Sequence, residues 1–283
     1  MTSASPVTIP ATGPAGPATG RRAGFGRLLL TEWTKIRSVR STLWTLIIFV
    51  IVSIGLTSLL TLLTVHALSA GRRGERASGL TTDPVGFILG TGLGLGQLAI
   101  CVLGALVITS EYSSGTIRAT LLAVPRRIPV LIAKCLVFAV LVFVVAEIVS
   151  FGCFFVGAAI VHSKVSVSLS QPGVTRAVIG SGLYLTVLGL FALAIGSLIR
   201  HTAGAITTVI GLVLVIFPLT GLLPYSWGAH IHAYAPTIAG QLITADQQQS
   251  GALLTPWEGF AVFCGWTALL LIAGAYLLRR RDA

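Results

Sequence analysis

The sequence predicts an all-α integral membrane protein: six transmembrane helices, both chain ends in the cytoplasm, an N-terminal interfacial elbow helix and a short cytoplasmic helix between spans two and three. Three observations carry this. Residues AVILMFWYC make up 54% of the 283 positions and Asp, Glu, Lys and Arg only 10%, against about 25% charged in a soluble domain. Six apolar stretches are each long enough to cross a hydrocarbon core about 30 Å thick, which takes roughly 20 helical residues. Basic residues crowd the flanks that one orientation brings to a single side. So few charges cannot cover a water-facing surface of this size, which excludes a soluble enzyme. The net charge of +11 lies between apolar runs, not clustered on a solvated face, which excludes a nucleic-acid groove.

The elements follow in order. Residues 1–24 are a Pro/Ala/Thr/Gly tract, with Pro10, Pro14 and Pro17 among small residues. Having no apolar core, it reads as a disordered cytoplasmic tail and not as a signal peptide. Residues 25–283 form one membrane domain. Phe25, Leu28, Leu29, Trp33, Ile36 and Val39 recur near helical spacing among Arg27, Lys35, Arg37 and Arg40. This segment rests on the inner leaflet with Trp33 at headgroup level, or it is a plain charged flank that orients the first span. The spans are 42–65, 84–109, 128–161, 175–199, 202–223 and 257–278. The third is too long for a perpendicular crossing, so it starts in the interface with Lys134 snorkelling, or it tilts. Pro218 falls near the end of the fifth.

Orientation follows from the flanks. With the N-terminus inside, the inner side holds Arg21, Arg22, Arg27, Lys35, Arg37, Arg40, Arg118, Arg126, Arg127, Lys134, Arg200, Arg279, Arg280 and Arg281, which is 14 of the 19 basic residues. The outer side holds Arg72, Arg73, Arg76, Lys164 and Arg176. The predicted location is the inner (cytoplasmic) membrane, multi-pass. Abundant Arg, Ala and Gly suit a high-G+C bacterial genome.

No catalytic constellation is present. The chain has no G-x-x-x-x-G-K-[ST], no H-E-x-x-H and no G-x-S-x-G, so it binds no nucleotide in the P-loop manner. Cys101, Cys135, Cys153 and Cys264 each lie in an apolar run and read as small apolar side chains. His230 and His232 form H-x-H, half a zinc site without a further ligand, so no metal is expected. Gly86, Gly90 and Gly94 share one helix face and suit close packing of a neighbouring helix. Glu147 is the one acid deep in a span. It lies 13 residues past Lys134, about 20 Å along a helix. A carboxyl there faces protein or water, or is protonated. It serves either a translocation path or proton-coupled site, or a structural hydrogen bond to a neighbouring helix.

The longest polar stretch between inner spans is Glu111-Tyr112-Ser113-Ser114-Gly115-Thr116-Ile117-Arg118-Ala119-Thr120-Leu121-Leu122-Ala123-Val124-Pro125-Arg126-Arg127. Gly115 permits a turn, Thr116 can cap, Ile117, Leu121 and Leu122 share an apolar face, and Pro125 ends it. It forms a short helix that a soluble partner can push, or a stiff turn on the membrane. This stretch resembles the segment after the second span of ABC-2-type transporter permeases, matching at Glu111, Tyr112, Gly115, Thr116, Ile117, Leu121 and Pro125, whereas Ile128 stands where a basic residue is usual. Lys134 matches a basic residue common early in the third span. Gly196-Ser197-Leu198-Ile199-Arg200 resembles the family's basic turn between spans four and five, and Glu32-Trp33-Thr34-Lys35-Ile36-Arg37-Ser38 its entry helix.

The resemblance implies a permease subunit of an ATP-driven exporter. Its partners would be a separate ATP-binding cassette subunit, which holds ATP and Mg, and a second permease subunit. This chain would bind no cofactor. Glu111, Tyr112, Gly115, Thr116, Ile117 and Arg118 would make the ATPase-coupling contact, and Glu32, Trp33, Lys35 and Arg37 the elbow contact. The expected substrate is hydrophobic or amphipathic: a drug, an antibiotic peptide or a lipid-like molecule. Rival readings are a secondary transporter using Glu147 and a membrane subunit for sensing or immunity that moves nothing.

Overall fold

The computed structural model describes residues 24–71, 74–113, 115, 127–247 and 252–281, and every regular element among them is helical. Helix α1 (Phe25–Ser38) ends at extended Val39. Then come α2 (Arg40–Ser69), a short α3 (Glu75–Thr82), α4 (Pro84–Ser113), α5 (Arg127–Val161) and α6 (Val174–Ile199). After α7 (Thr202–Gly211) the chain continues through a π-helical turn (Leu212–Ile216), one α turn (Phe217–Leu219) and a 3-10 turn (Thr220–Leu222). Two short helices follow, α8 (Tyr225–Ala233) and α9 (Pro236–Gln241), before the last span, α10 (Pro256–Arg281).

Six of these helical runs are long and apolar enough to cross a membrane, and the chain is a multi-pass membrane protein. Each predicted stretch lies within its run, except that the fifth ends one residue early, at Leu222. The π turn has a local cause. Pro218 has no N–H and its ring crowds the preceding turn, and the Phe217 N–H reaches back to the Leu212 carbonyl in the wider pattern. Two span starts follow capping chemistry. Asp83 precedes Pro84 and its Oδ1 accepts from the Gly86 N–H at 2.7 Å. Thr255 and Glu258 bracket Pro256 reciprocally, the Thr255 N–H donating to Glu258 Oε2 at 2.8 Å.

The bundle has two distinguishable ends. At the proximal end lie α1, the starts of α2, α5 and α7, and the finishes of α4, α6 and α10. At the distal end the Arg176 guanidinium donates to the carbonyls of Ala245 and Asp246, both at 2.9 Å. Helix α6 is the central pillar, packed against α4, α5 and α10, and most of its side chains are buried. Inside a bilayer, apolar burial drives no association, so close backbone approach does the work. A Cβ at Gly104 would collide with the Gly189 carbonyl of α6.

The glycine face expected to pack is a correction. Gly90 and Gly94 have nothing within 4 Å of an added Cβ, whereas Gly92 and Gly96 press on Ser53, Thr57 and Phe49 of α2. Both sets have i, i+4 spacing, so spacing alone could not say which faces a helix. The segment between the fifth and sixth membrane-crossing runs carries helices α8 and α9. Tyr225, Trp227 and Tyr234 are exposed there, and the Trp266 indole N–H ties α10 to the Tyr234 carbonyl at 3.2 Å.

Candidate functional site

Four charged residues from three helices meet at the proximal end. Helix α1 turns Glu32 and Ile36 inward, so that Glu32 is only 2% exposed. Lys134, two turns into α5, is 3% exposed. Its Nζ donates to Glu32 Oε2 at 2.6 Å and to Glu111 Oε1, on the last turn of α4, at 2.8 Å. Lys35, one-third exposed, completes the ring by donating to Glu32 Oε1 at 2.9 Å and Glu111 Oε1 at 3.2 Å. Among the described residues, two cations and two anions balance in the ring. A buried ion pair survives in this form, fully matched and hydrogen-bonded. Burial by itself would raise the Glu32 carboxyl, but Lys134 and Lys35 outweigh it and hold it below its ordinary 4.5. Burial would lower the Lys35 ammonium, but Glu32 and Glu111 hold it above 10.5.

Beside this ring, Tyr112 lies under the Arg200 guanidinium, 5.0 Å from carbon to ring centroid, a cation–π contact. Arg200 caps α6 in the left-handed conformation (φ 61°). It also donates to the Leu277 carbonyl near the end of α10 at 3.3 Å. One side chain thus links the ends of α4, α6 and α10.

The structure therefore brings together Glu32, Lys35, Glu111 and Tyr112 from the predicted contacts, and adds Lys134 and Arg200 to them. Trp33 and Arg37 point away and are exposed. Glu111 and Tyr112 belong to α4 itself and not to the loop. Gly115 follows with φ 71°, a backbone that suits glycine. Thr116, Ile117 and Arg118, with the predicted coupling helix, lie outside the described residues.

A cavity of about 260 Å³ opens between α4 and α6 in the distal half. Gly90 and Gly94 leave it room, and a chain of polar side chains crosses it. The Tyr184 hydroxyl donates to Gln97 Oε1 at 2.9 Å and accepts from Gln241 Nε2 at 3.2 Å. Reading the sequence missed these three. The signal was available in Gln97, the one amide within span two. Tyr184 and Gln241 gave none, because their meeting depends on the fold.

Glu147 is not among the residues lining this cavity. Its carboxylate lies against Gly182 of α6, and neither oxygen has a hydrogen-bond partner. The two histidines close local turns: His230 Nδ1 pairs with the Ser226 carbonyl and His232 Nδ1 with the Thr220 hydroxyl. Among the described residues no group of three His, Cys, Asp or Glu is placed to hold a metal.

A search of curated proteins returns no match. The sequence profile described as ABC-2 family transporter protein matches residues 28–283. That match takes in all six membrane-crossing runs and all four residues of the charged ring, and the chain belongs to the ABC-2 transporter family as a permease subunit.

Proposed function

We propose that this permease exports a hydrophobic or amphipathic substrate, driven by a separate ATP-binding subunit that docks at the proximal end and holds ATP and Mg. That end is cytoplasmic in this reading, with α1 as the interfacial elbow and a second permease subunit completing the pathway. The chain itself hydrolyses nothing. The observation that carries the reading is the buried ring of Glu32, Lys35, Glu111 and Lys134. Segment 114–126 runs between α4 and α5, and Glu111 and Lys134 flank it on either side. Both are tied to α1. A push on that segment is thereby delivered to two spans and the elbow together. Trp33 and Arg37, exposed on α1, and Thr116, Ile117 and Arg118 supply the docking contacts.

The distal cavity crossed by Gln97, Tyr184 and Gln241 is the substrate-facing part, apolar with a few fixed hydrogen-bonding groups. Glu147 acts from the α5–α6 interface, where Glu147→Gln should impair transport and leave assembly intact. The coupling test uses the permease co-purified with its ATP-binding subunit in proteoliposomes. Gly115→Val and Arg118→Ala should abolish permease-stimulated ATP hydrolysis while insertion stays normal. Unchanged stimulation in both variants removes the coupling role. Substrate movement by the permease without any ATP-binding subunit would favour a secondary transporter instead.

A further inference from the structure

A second cavity, of about 390 Å³, opens at the proximal end between α1, the first turn of α2 and the later part of α4. Its volume lies in the range of small-molecule sites, roughly 300–1,000 Å³. The wall changes character along its length. Ile36, Leu103 and Val107 make an apolar slot, while Lys35, Ser41 and Thr42 line the polar part together with Glu111 and Lys134 of the charged ring.

Three features of the polar part lack a partner within the protein. Thr42 is 5% exposed, yet its hydroxyl makes no hydrogen bond; only its backbone N–H is engaged, with the Val39 carbonyl. That hydroxyl opens into the cavity it lines and is available there to a ligand. Lys35 has three N–H donors and uses two, on Glu32 and Glu111. Helix α2 starts here with no side-chain cap, its first-turn residues Ser41 and Thr42 line the opening at the positive end of the helix dipole, and Arg40 is exposed beside them. Hydrogen-bond donors of Lys35 and Thr42 meet at one end beside the charge-matched ring, and an apolar slot leads away from it.

We propose that this cavity binds an anionic phospholipid. Its phosphate is held by the Thr42 hydroxyl, the third Lys35 N–H and the α2 N-terminus, and an acyl chain lies against Leu103 and Val107. A soluble anion would leave the apolar slot unfilled. A zwitterionic headgroup would bring a cation beside Lys35 and Arg40, where the nearby carboxylates of Glu32 and Glu111 already hold two lysines. The site does not depend on which substrate the permease carries, and it shares Lys35, Glu111 and Lys134 with the charged ring.

Native mass spectrometry of the full-length protein in detergent tests this, with phosphatidylglycerol and phosphatidylcholine of matched chains as probes. One phosphatidylglycerol per chain should persist under activation that strips phosphatidylcholine, with about tenfold preference, as expected where charge-assisted bonds add to the same apolar contact. Thr42→Val removes the hydroxyl at constant shape and Val107→Trp fills the slot; each should cut retained phosphatidylglycerol several-fold. Leu95→Trp, exposed and remote from the cavity, should not. Should Val107→Trp fail to fold, Thr42→Val carries the test, since its loss is one oxygen. Equal retention of the two lipids, or full retention of phosphatidylglycerol by Thr42→Val, overturns the proposal. So does displacement of the lipid by millimolar glycerol 3-phosphate, which would make this a soluble-phosphate site.

Discussion

Lys134 shows how much one side chain can hold. It is nearly sealed from solvent and both of its carboxylate partners come from other helices. Replacing it with Met leaves Glu32 and Glu111 facing each other with, among the described residues, Lys35 between them. Removing one member of a buried pair typically costs about 3–5 kcal/mol, whereas replacing both by apolar groups can be neutral. Lys134→Met should therefore lower the thermal midpoint strongly, and Lys134→Met with Glu32→Gln should cost less than the two single changes added together. Strict additivity in that double-mutant cycle would mean that the two groups do not act as a pair. The ring also has a pH window. The Glu32 carboxyl is held below 4.5, so its contribution is present above that value and is lost as acid drops the pH through the depressed pKa. The sequence announced these residues singly. Lys134 stood out as a cation early in an apolar run, and Glu32 and Lys35 as charges on an amphipathic helix. Their meeting was not legible, because 102 residues separate Lys134 from Glu32 and no local pattern records that distance.

At the scale of elements, helix α4 presents two glycine faces with opposite uses. Gly92→Ala drives a methyl into the Ser53 carbonyl and the Thr57 hydroxyl, while Gly90→Ala meets nothing. The first should separate α2 from α4 and lower the thermal midpoint. The second should leave the midpoint unchanged or raise it slightly, since alanine favours helix over glycine by roughly 1 kcal/mol. Equal effects of the two would sink this assignment. Which glycines pack was beyond the sequence, since only the position of α2 decides it. The caps at Asp83-Pro84 and Thr255-Pro256 carry a local signature, a short polar side chain before proline at the first helical position, which the reading of the spans by apolar run length did not use.

The distal end has an acid pair in different loops. Burial raises the Asp246 carboxyl above its ordinary 3.8, and the charge of Asp83 and a hydrogen bond with it raise it further. Arg176 faces this loop through the Ala245 and Asp246 carbonyls. A raised pKa means that this contact stabilises at low pH and weakens as pH climbs through the folded value. The turn before α4 should then become more accessible to protease as the pH climbs through that raised pKa. Asp246→Asn should flatten that dependence, and an unchanged profile in the variant would show that the pair is not its source.

For the whole molecule, apolar run length carried most of the architecture. Thr42–Val65 and its five counterparts needed only a hydropathy threshold and the thickness of a bilayer. What escaped was whatever depends on three-dimensional neighbours: the break before Pro218, the helices at Tyr225–Ala233 and Pro236–Gln241, and the polar chain from Gln97 to Gln241. The orientation is open to direct measurement. In a cysteine-free background, Ser170→Cys, exposed at the distal end, should react with an impermeant maleimide on intact cells. Ser38→Cys, exposed at the end of α1, should react only after permeabilisation. The reverse pattern would invert the topology and remove the docking face from the cytoplasm.

The ring also constrains biogenesis. Glu32 leaves the ribosome long before Lys134 is synthesised, so the first amphipathic segment has no buried counter-charge while the opening two spans enter the bilayer. It becomes locked only when the third span arrives with its ammonium group. A nascent chain arrested before that point should keep its leading segment open to proteolysis, and one extended beyond it should not, which makes arrival of the third span a checkpoint in assembly of the permease.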